Sequence, residues 1–286
     1  MIKYIYVVGD THNIKSLKII LERFDNIISL GDIAAVSKNI FKDENLSRYK
    51  KVWKLFSKNK YIINKNDIGW FKKINTNSWI KQISNIKNSN KNFILNIGNS
   101  DLAMINFFPE CKNYLKKSTN NKFKIIQKPE IKNFGKNIQI IFLPYQKKKY
   151  NLDKILDKIH PDKKMFIIAH CPPIENTNKE YYKHNYDSIK KISKRYKQKI
   201  ICLHGHMHPS FSYIYNLSSL PKVVFLCPKA EENLNGFGIN NHVIRIETLE
   251  GKVKLFDSLT NKEVSFQDLP KEYLNNQCHW NNFKKT

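Results

Sequence analysis

The sequence lacks several features that mark particular classes of protein. It contains no apolar run of the ~18–20 residues that a membrane-spanning helix needs, which excludes an integral membrane protein of that type. Its first residues show no signal-peptide cleavage pattern and begin directly as a strand. Its five cysteines form no CxxC pair, so we expect neither a disulfide framework nor a cysteine-held zinc site, and we expect a reducing, cytoplasmic environment.

Arginine is also scarce. Only four of the 50 basic residues are arginine, so the net charge of +26 comes almost entirely from lysine. Because base-edge recognition and bidentate phosphate contacts favour arginine, a sequence-reading DNA-binding protein is disfavoured. The lysines admit two interpretations: the compositional bias of an A+T-rich genome spread over solvated faces, or a surface that attracts polyanions such as nucleic acid.

The apolar content is high enough for a folded core. With 286 residues and 41% hydrophobic residues, the chain is long enough for one large α/β domain or two small ones, and wholesale disorder is excluded. Short apolar runs that favour strands recur at 2–8, 27–30, 93–97, 138–143, 165–169, 200–203, 222–226 and 242–247. The turn at Glu250-Gly251 after the last of these runs indicates a hairpin.

Helical periodicity falls between these runs. It predicts helices around 14–24, 46–56, 79–86, 152–159 and 189–196. We expect Asn13 to cap the first helix, and Asp187 or Ser188 to start the last. The early alternation of strands and helices predicts layered α/β architecture.

Polar residues with metal-binding side chains follow five of the strand-like runs. The segments are Gly9-Asp10-Thr11-His12, Gly31-Asp32, Gly98-Asn99-Ser100-Asp101, His170, and Gly205-His206-Met207-His208. Because ligands bind at the carboxyl ends of strands in open α/β sheets, we expect these segments to meet. The mixed oxygen and nitrogen donors suit Mn, Zn, Fe or Ni rather than Ca. Seven side chains are too many for one ion, and two ions sharing a carboxylate suit phosphoester hydrolysis.

The ordered motifs DxH, GD, GN, H and GHxH resemble those of the calcineurin-like metallophosphoesterase superfamily, over about residues 10–208. The resemblance implies a four-layer αββα sandwich with a helical insertion. We expect a metallophosphoesterase domain over 1–260, an insertion at about 33–92, and a C-terminal extension over 261–286.

The same resemblance implies two metal sites. The first would use Asp10, His12, Asp32 and His208, and the second would use Asp32, Asn99, His170 and His206, with Asp32 as the bridge. The cofactors would be two divalent ions, with manganese preferred and iron, zinc or nickel as alternatives. A hydroxide bridging the ions would attack the phosphorus of a phosphoester substrate.

One position departs from a common pattern of the superfamily. Many members have His where this chain has Ser100, and a serine hydroxyl cannot act as a general acid near pH 7. Members with GNCD at this point are often small phosphodiesterases, and the segment Ala169–Pro173 resembles the THxPP element of that branch. Phosphodiesters are therefore favoured over monoesters. The candidate catalytic residues are Asn99, Ser100 and Asp101. Asp101 could instead cap a helix starting at Leu102.

Two other functions stay open. A nuclease acting on DNA or RNA would use the lysines to bind the nucleic-acid backbone. The segment GDIAAV at 31–36 resembles a sequence of a debranching-type RNA phosphodiesterase. A non-catalytic interaction scaffold on the same fold is the second alternative. A protein phosphatase is disfavoured because no arginine follows Gly31-Asp32 closely. The oligomeric state is not predicted.

Several residues near the motifs have a structural interpretation instead. We interpret His204 as a core histidine, Cys171 and Cys202 as small buried hydrophobic residues, and the tryptophans as core residues.

Overall fold

A computed structural model describes residues 2–11, 13–33, 65–146, 148–175, 177, 179–207, 209, 211–233 and 236–269. Of residues 65–72, 74, 107, 231–233 and 236–240 it describes the backbone alone. The helices in this part of the chain are α1 (Ile14–Arg23), α2 (Lys65–Asn88), α3 (Asn99–Phe107), α4 (Pro109–Ser118), α5 (Asp153–Leu156) and α6 (Glu180–Arg195).

The strands in the same ranges are β1 (Tyr4–Val8), β2 (Ile27–Ser29), β3 (Phe93–Asn96), β4 (Phe123–Ile126), β5 (Glu130–Phe134), β6 (Ile138–Leu143), β7 (Lys164–Ala169), β8 (Ile200–His204), β9 (Tyr213–Asn216), β10 (Val223–Cys227), β11 (Ala230–Asn233), β12 (Gly236–Glu247), β13 (Val253–Asp257), β14 (Glu263–Val264) and β15 (Gln267–Asp268). The predicted strand-like runs coincide with β1, β2, β3, β6, β7, β8, β10 and β12. The predicted hairpin is formed by β12 and β13, which pair antiparallel.

The strands form two mixed sheets. The first has the order β14-β13-β12-β1-β2-β3-β4, with β11 paired to β12, and the second has the order β15-β9-β10-β8-β7-β6-β5. Strands β1 to β4 are parallel to one another, and so are β6, β7, β8 and β10. The carboxyl ends of each parallel set therefore lie along one edge of its sheet.

Three apolar clusters define the layers. Between the sheets, side chains of β1, β2 and β12 pack with those of β6, β7, β8 and β10. Side chains of α1 to α4 cover the other face of the first sheet, and side chains of α5 and α6 cover the other face of the second. In β1 the alternation is plain, since Val7 faces the second sheet and Val8 faces the helices. The four-layer αββα sandwich is confirmed.

Local sequence explains the first helix. The Asn13 side chain accepts a hydrogen bond from the backbone N–H of Lys15 at 2.8 Å, as expected of a capping asparagine. Leu17, Ile20 and Leu21 then bury one face of α1. The last predicted helix differs, because α6 begins at Glu180, several residues before Asp187.

The proposed domain boundaries stay predictions. The predicted helix at 46–56 lies outside the described residues, whereas α2 occupies the later part of the 33–92 segment. After residue 260, β14 pairs with β13 and β15 pairs with β9, so both sheets gain a strand there. In the described ranges, no helix has the length and hydropathy needed to cross a membrane.

His204, at the end of β8, is fully buried, as a core histidine should be. Tyr215 lies with its hydroxyl 3.0 Å from Nε2, and the backbone oxygen of Gly205 lies 3.4 Å from Nδ1. A carbonyl oxygen can only accept, so Nδ1 carries the proton and Nε2 accepts from the tyrosine. Burial lowers the pKa of His204 to about 4, and the imidazole is therefore neutral at pH 7.

This buried imidazole should make the fold sensitive to acid. The unfolded chain takes up the His204 proton near pH 6.5, whereas the folded chain does so only near pH 4. The stabilisation is thus complete above pH 6.5 and is lost as the pH falls through 4, by roughly 3 kcal/mol. In urea unfolding of metal-free protein, the His204→Gln variant should lose less stability than wild type between pH 6.5 and 4. Replacement of exposed His160 by Gln is the control, and parallel curves for wild type and His204→Gln would contradict the prediction.

Candidate metal centre

The carboxyl ends of strands from both sheets meet at the candidate site. Asp10 and Asp32 follow β1 and β2, and Asn99 follows β3 after a short turn. From the second sheet, His170 follows β7 and His206 follows β8. Parallel strand direction thus brings residues that are far apart in sequence to one place, and all five are buried or half-buried.

His170 lies at the centre of the group. Its Nδ1 is 3.1 Å from the backbone oxygen of Leu30, which can only accept a hydrogen bond. Nδ1 therefore carries the proton, and the lone pair of Nε2 points toward the other candidate ligands. Nε2 lies 2.8 Å from the Asn99 side-chain oxygen, 3.2 Å from His206 Nδ1 and 3.6 Å from Asp32 Oδ2.

The end of the Asn99 side chain lies where three acceptors converge. When the amide is rotated so that its nitrogen points inward, that nitrogen is 2.8 Å from His170 Nε2, 2.8 Å from His206 Nδ1 and 3.2 Å from Asp32 Oδ2. In that orientation the amide oxygen accepts from the N–H of Ser100 at 3.1 Å. With the oxygen inward, four lone-pair donors face one another, which is the arrangement that a cation stabilises.

These donors fit one divalent ion. Metal–donor bonds of about 2.0–2.2 Å place neighbouring ligands roughly 3–3.5 Å apart. The separation of 3.2 Å between His170 and His206 lies in that range, and the 3.6 Å between His170 and Asp32 lies just beyond it. Asp32, Asn99, His170 and His206 are the set that the resemblance implies for the second ion.

Asp10, which the resemblance assigns to the first ion, lies beside this group. Its Oδ2 accepts from the backbone N–H of His206 at 2.8 Å, and its Oδ1 lies 3.8 Å from His170 Nδ1. Asp10, Asp32 and His170 each offer a ligand atom, and these atoms lie within 4.8 Å of one another. Two buried carboxylates this close repel each other, and divalent cations between them offset that cost. The other residues implied for the first ion, His12 and His208, lie outside the described residues.

Ser100 fixes the orientation of Asp32. Its backbone N–H donates to Asp32 Oδ1 at 2.8 Å, and its hydroxyl donates to Oδ2 at 3.1 Å. The backbone of Asp32 has a φ of 45°, in the left-handed region that few residues other than glycine adopt. His206 shares this feature with a φ of 70°. Such strain is typical of functional sites, where the surrounding structure enforces it.

Two glycines permit this close packing. Gly31 has a φ of 129°, and a Cβ atom there would lie 2.5 Å from His170 Nδ1. At Gly98 a Cβ atom would overlap the carboxylate of Asp32 and lie 2.5 Å from its backbone nitrogen. The side chains of His170 and Asp32 can therefore occupy their positions only beside glycine.

Asp101 stabilises the Gly98-Asn99 turn through hydrogen bonds. Its Oδ2 accepts from the N–H of Gly98 at 3.2 Å, and its Oδ1 accepts from Nε1–H of Trp79 on α2 at 3.2 Å. It therefore caps α3, one of the two expected roles, although that helix begins at Asn99. Burial and the nearby charge of Asp32 raise the pKa of Asp101 to about 7.

Cys171 was interpreted as a small hydrophobic residue, and it is fully buried. Its Sγ nevertheless lies within 4.8 Å of ring nitrogens of His170 and His206, close enough to belong to a metal-binding group. Burial raises the pKa of the thiol well above its usual value. The sequence indicated that Cys171 lies near the candidate metal centre, because Cys171 directly follows His170.

Comparisons with known proteins agree with this geometry. A family model described as calcineurin-like phosphoesterase matches residues 3–210, a range that includes all seven candidate ligands. No curated protein matches the chain. A solved crystal structure aligns with a TM-score of 0.53 over 90% of this chain and 99% of that chain, at 12% identity, which shows the fold alone. The expected resemblance is thus confirmed, while the GNCD/THxPP branch stays a prediction.

The contact between Trp79 and Asp101 should affect metal binding. Trp79→Phe keeps most of the buried ring but removes the N–H that Asp101 accepts, so the Gly98-Asn99 turn loses support. Outer partners of ligands typically contribute 10–100-fold to metal affinity, and we expect a loss of roughly tenfold here. Calorimetric titration of the metal-free wild type and Trp79→Phe proteins with Mn²⁺ measures this loss of affinity.

A matched control comes from the same helix. Ile83 is fully buried on α2, and Ile83→Val removes a methyl group and no polar contact. It should lower stability by about 0.5–1.5 kcal/mol and leave metal affinity unchanged. Equal Mn²⁺ affinity in Trp79→Phe and Ile83→Val would disprove the supporting role.

Proposed function

This chain belongs to the calcineurin-like phosphoesterase family, and on that premise we propose that it hydrolyses a phosphodiester at a centre of two divalent metal ions. The family comprises metal-dependent phosphoesterases that bind a dimetal centre. The observation that carries the proposal is the convergence of Asp32, Asn99, His170 and His206 on one point, with Asp10 beside them.

The proposed ligand sets follow the sequence motifs. Asp10, His12, Asp32 and His208 would hold the first ion, and Asp32, Asn99, His170 and His206 would hold the second, so Asp32 would belong to both sets. The two ions, preferably manganese, supply Lewis-acid activation of water and stabilise negative charge on the phosphoryl oxygens.

The protein's own groups keep the ligands in the required state. The Leu30 carbonyl holds the proton of His170 on Nδ1, so the lone pair of His170 is on Nε2, the atom that faces the other candidate ligands. Ser100 uses both its N–H and its hydroxyl to orient the Asp32 carboxylate. The backbone N–H of His206 does the same for Asp10. Ligands fixed by such outer contacts need little reorganisation during the reaction.

The position of Ser100 also bears on the substrate. Its hydroxyl donates to Asp32, and a serine is in any case too weak an acid to protonate a leaving group near pH 7. Esters whose leaving groups depart without protonation should therefore react fastest. Together with the similarity of the Ala169–Pro173 segment to the THxPP element, this supports a phosphodiesterase with an arylester preference.

We also propose a reducing, cytoplasmic location. Cys111, Cys171, Cys202 and Cys227 are all free thiols buried in the described part of the chain. Free buried thiols persist where disulfides do not form.

Metal-dependent ester hydrolysis is the direct test of the proposal. Mn²⁺-loaded protein should hydrolyse bis-p-nitrophenyl phosphate faster than p-nitrophenyl phosphate, and removal of metal should abolish the activity. His206→Ala removes a proposed ligand and should lower kcat/KM by about 100-fold or more. Release of p-nitrophenol measures the rate.

A histidine at the opposite end of a strand provides the control. His160 precedes β7, whereas His170 follows it, and the His160 side chain is exposed. His160→Ala should retain wild-type activity and metal content. A protein that binds no metal and cleaves neither ester would refute the proposal and favour the interaction scaffold.

The charge of +26 supports a second candidate, a nuclease acting on DNA or RNA. Counterion release makes binding to a polyanion weaken steeply with salt, whereas a small diester is affected little. If nucleic acid is the substrate, KM for a single-stranded oligonucleotide should rise at least about tenfold between 50 and 200 mM KCl, while KM for bis-p-nitrophenyl phosphate changes little. Parallel salt dependence for both substrates would count against the nuclease.

A further inference from the structure

Three tyrosines form an aromatic group beside the candidate metal centre. Tyr145 follows β6, and Tyr181 and Tyr182 lie in the first turn of α6. The Tyr145 ring meets the His170 imidazole edge to face at 6.0 Å between centroids, and the Tyr181 ring meets the His206 imidazole at 6.2 Å. Tyr145 and Tyr181 are 5.4 Å apart, so the rings form one continuous surface.

Core packing does not account for this group. Among the described residues, the three apolar clusters contain none of Tyr145, Tyr181 and Tyr182. Tyr145 and Tyr181 are half-buried, whereas Tyr182 is 7% exposed and packs behind Tyr181 at 4.3 Å. Two aromatic rings are therefore left partly open to solvent next to the imidazoles of the proposed metal ligands His170 and His206.

The group is held firmly in place. The N–H of Tyr145 donates to the carbonyl oxygen of Ile97 at 2.7 Å, which ties the loop after β6 to the end of β3. The N–H of Tyr182 donates to the carbonyl oxygen of Lys179 at 3.1 Å in the first turn of α6. Rings on such fixed backbone lose little entropy when a ligand stacks on them.

The chemistry of the group favours a flat, uncharged partner. Because the pKa of a tyrosine phenol is about 10, the hydroxyls of Tyr145 and Tyr181 are protonated and neutral at pH 7. Tyrosine faces stack on planar rings, including nucleobases, and their hydroxyls donate hydrogen bonds. The Lys179 ammonium, 5.6 Å from the Tyr182 ring centroid, adds a positive charge at the rim of this surface.

We propose that Tyr145 and Tyr181 form a subsite for a planar aromatic substituent of the substrate, such as a nucleobase. The substrate class is then a phosphodiester whose non-leaving side carries that group. This inference rests on the proposed phosphodiesterase function. It goes further by assigning the site a specificity that the metal ligands alone do not provide.

Two esters with the same leaving group test the subsite. Thymidine 5′-(p-nitrophenyl phosphate) and methyl p-nitrophenyl phosphate differ only in the substituent that would contact the tyrosines. Wild type should have a higher kcat/KM for the thymidine ester. Tyr181→Leu should reduce that preference by about tenfold or more, mainly through KM, and Tyr145→Leu should do the same. Tyr181→Phe, which keeps the ring, should retain the preference.

A tyrosine at the amino end of a strand in the first sheet is the control. Tyr4 begins β1 and is half-buried, and Tyr4→Leu should leave the preference unchanged. Equal losses on both esters in Tyr181→Leu, or an unchanged preference, would overturn the subsite.

Measurements of ligand binding test the aromatic subsite independently of the proposed phosphodiesterase activity. If neither ester is cleaved, calorimetry with thymidine 5′-monophosphate and methyl phosphate still compares the two substituents. Tighter binding of the thymidine compound that is lost in Tyr181→Leu supports the subsite even without turnover. Equal affinities would overturn it.

Discussion

The site depends on two buried carboxylates held close to each other at the meeting edge of two sheets. Asp10 and Asp32 come from neighbouring parallel strands, and each is oriented by backbone N–H groups from a distant segment, His206 and Ser100. Electrostatic repulsion between the carboxylates is the cost of this arrangement. The glycine-lined turns, the left-handed backbone at Asp32 and the fixed tautomer of His170 all serve to keep the ligands in place despite that cost.

Much of the fold follows from the sequence, because buried parallel strands have continuous apolar runs such as IQIIFL in β6. The apolar runs predicted the strands at the margins of the sheets less well. Strand β5 is half-exposed, with the sequence EIKNF, and shows no pattern that distinguishes it from a loop. The sequence pointed to helix α3 only through the capping role open to Asp101, because the residues of α3 give no amphipathic period. Tertiary packing decides such segments.

The meeting of Asp10, Asp32, Asn99, His170 and His206 was predictable because each lies within three residues of the end of a strand, so sequence position implies location. The roles of their neighbours were not, because they depend on contacts across the fold. Ser100 was expected near the substrate, and the structure shows its hydroxyl bonded to Asp32, 68 positions away. Trp79 contacts Asp101 from α2, and the tyrosines reach the site from the loop after β6 and from the first turn of α6. No local sequence pattern predicts these contacts between distant segments.

The pairing of β1 with β12 has a consequence for synthesis. Tyr4 pairs with Glu247, so the strand that precedes Asp10 acquires its antiparallel neighbour only after the chain has been made as far as β12. At about 5–20 residues per second, a ribosome would expose β1 for many seconds before that neighbour emerges. Contacts of such long range also slow folding once synthesis ends. The nascent chain therefore spends this interval with an open strand edge, which can pair with another chain and so favours aggregation.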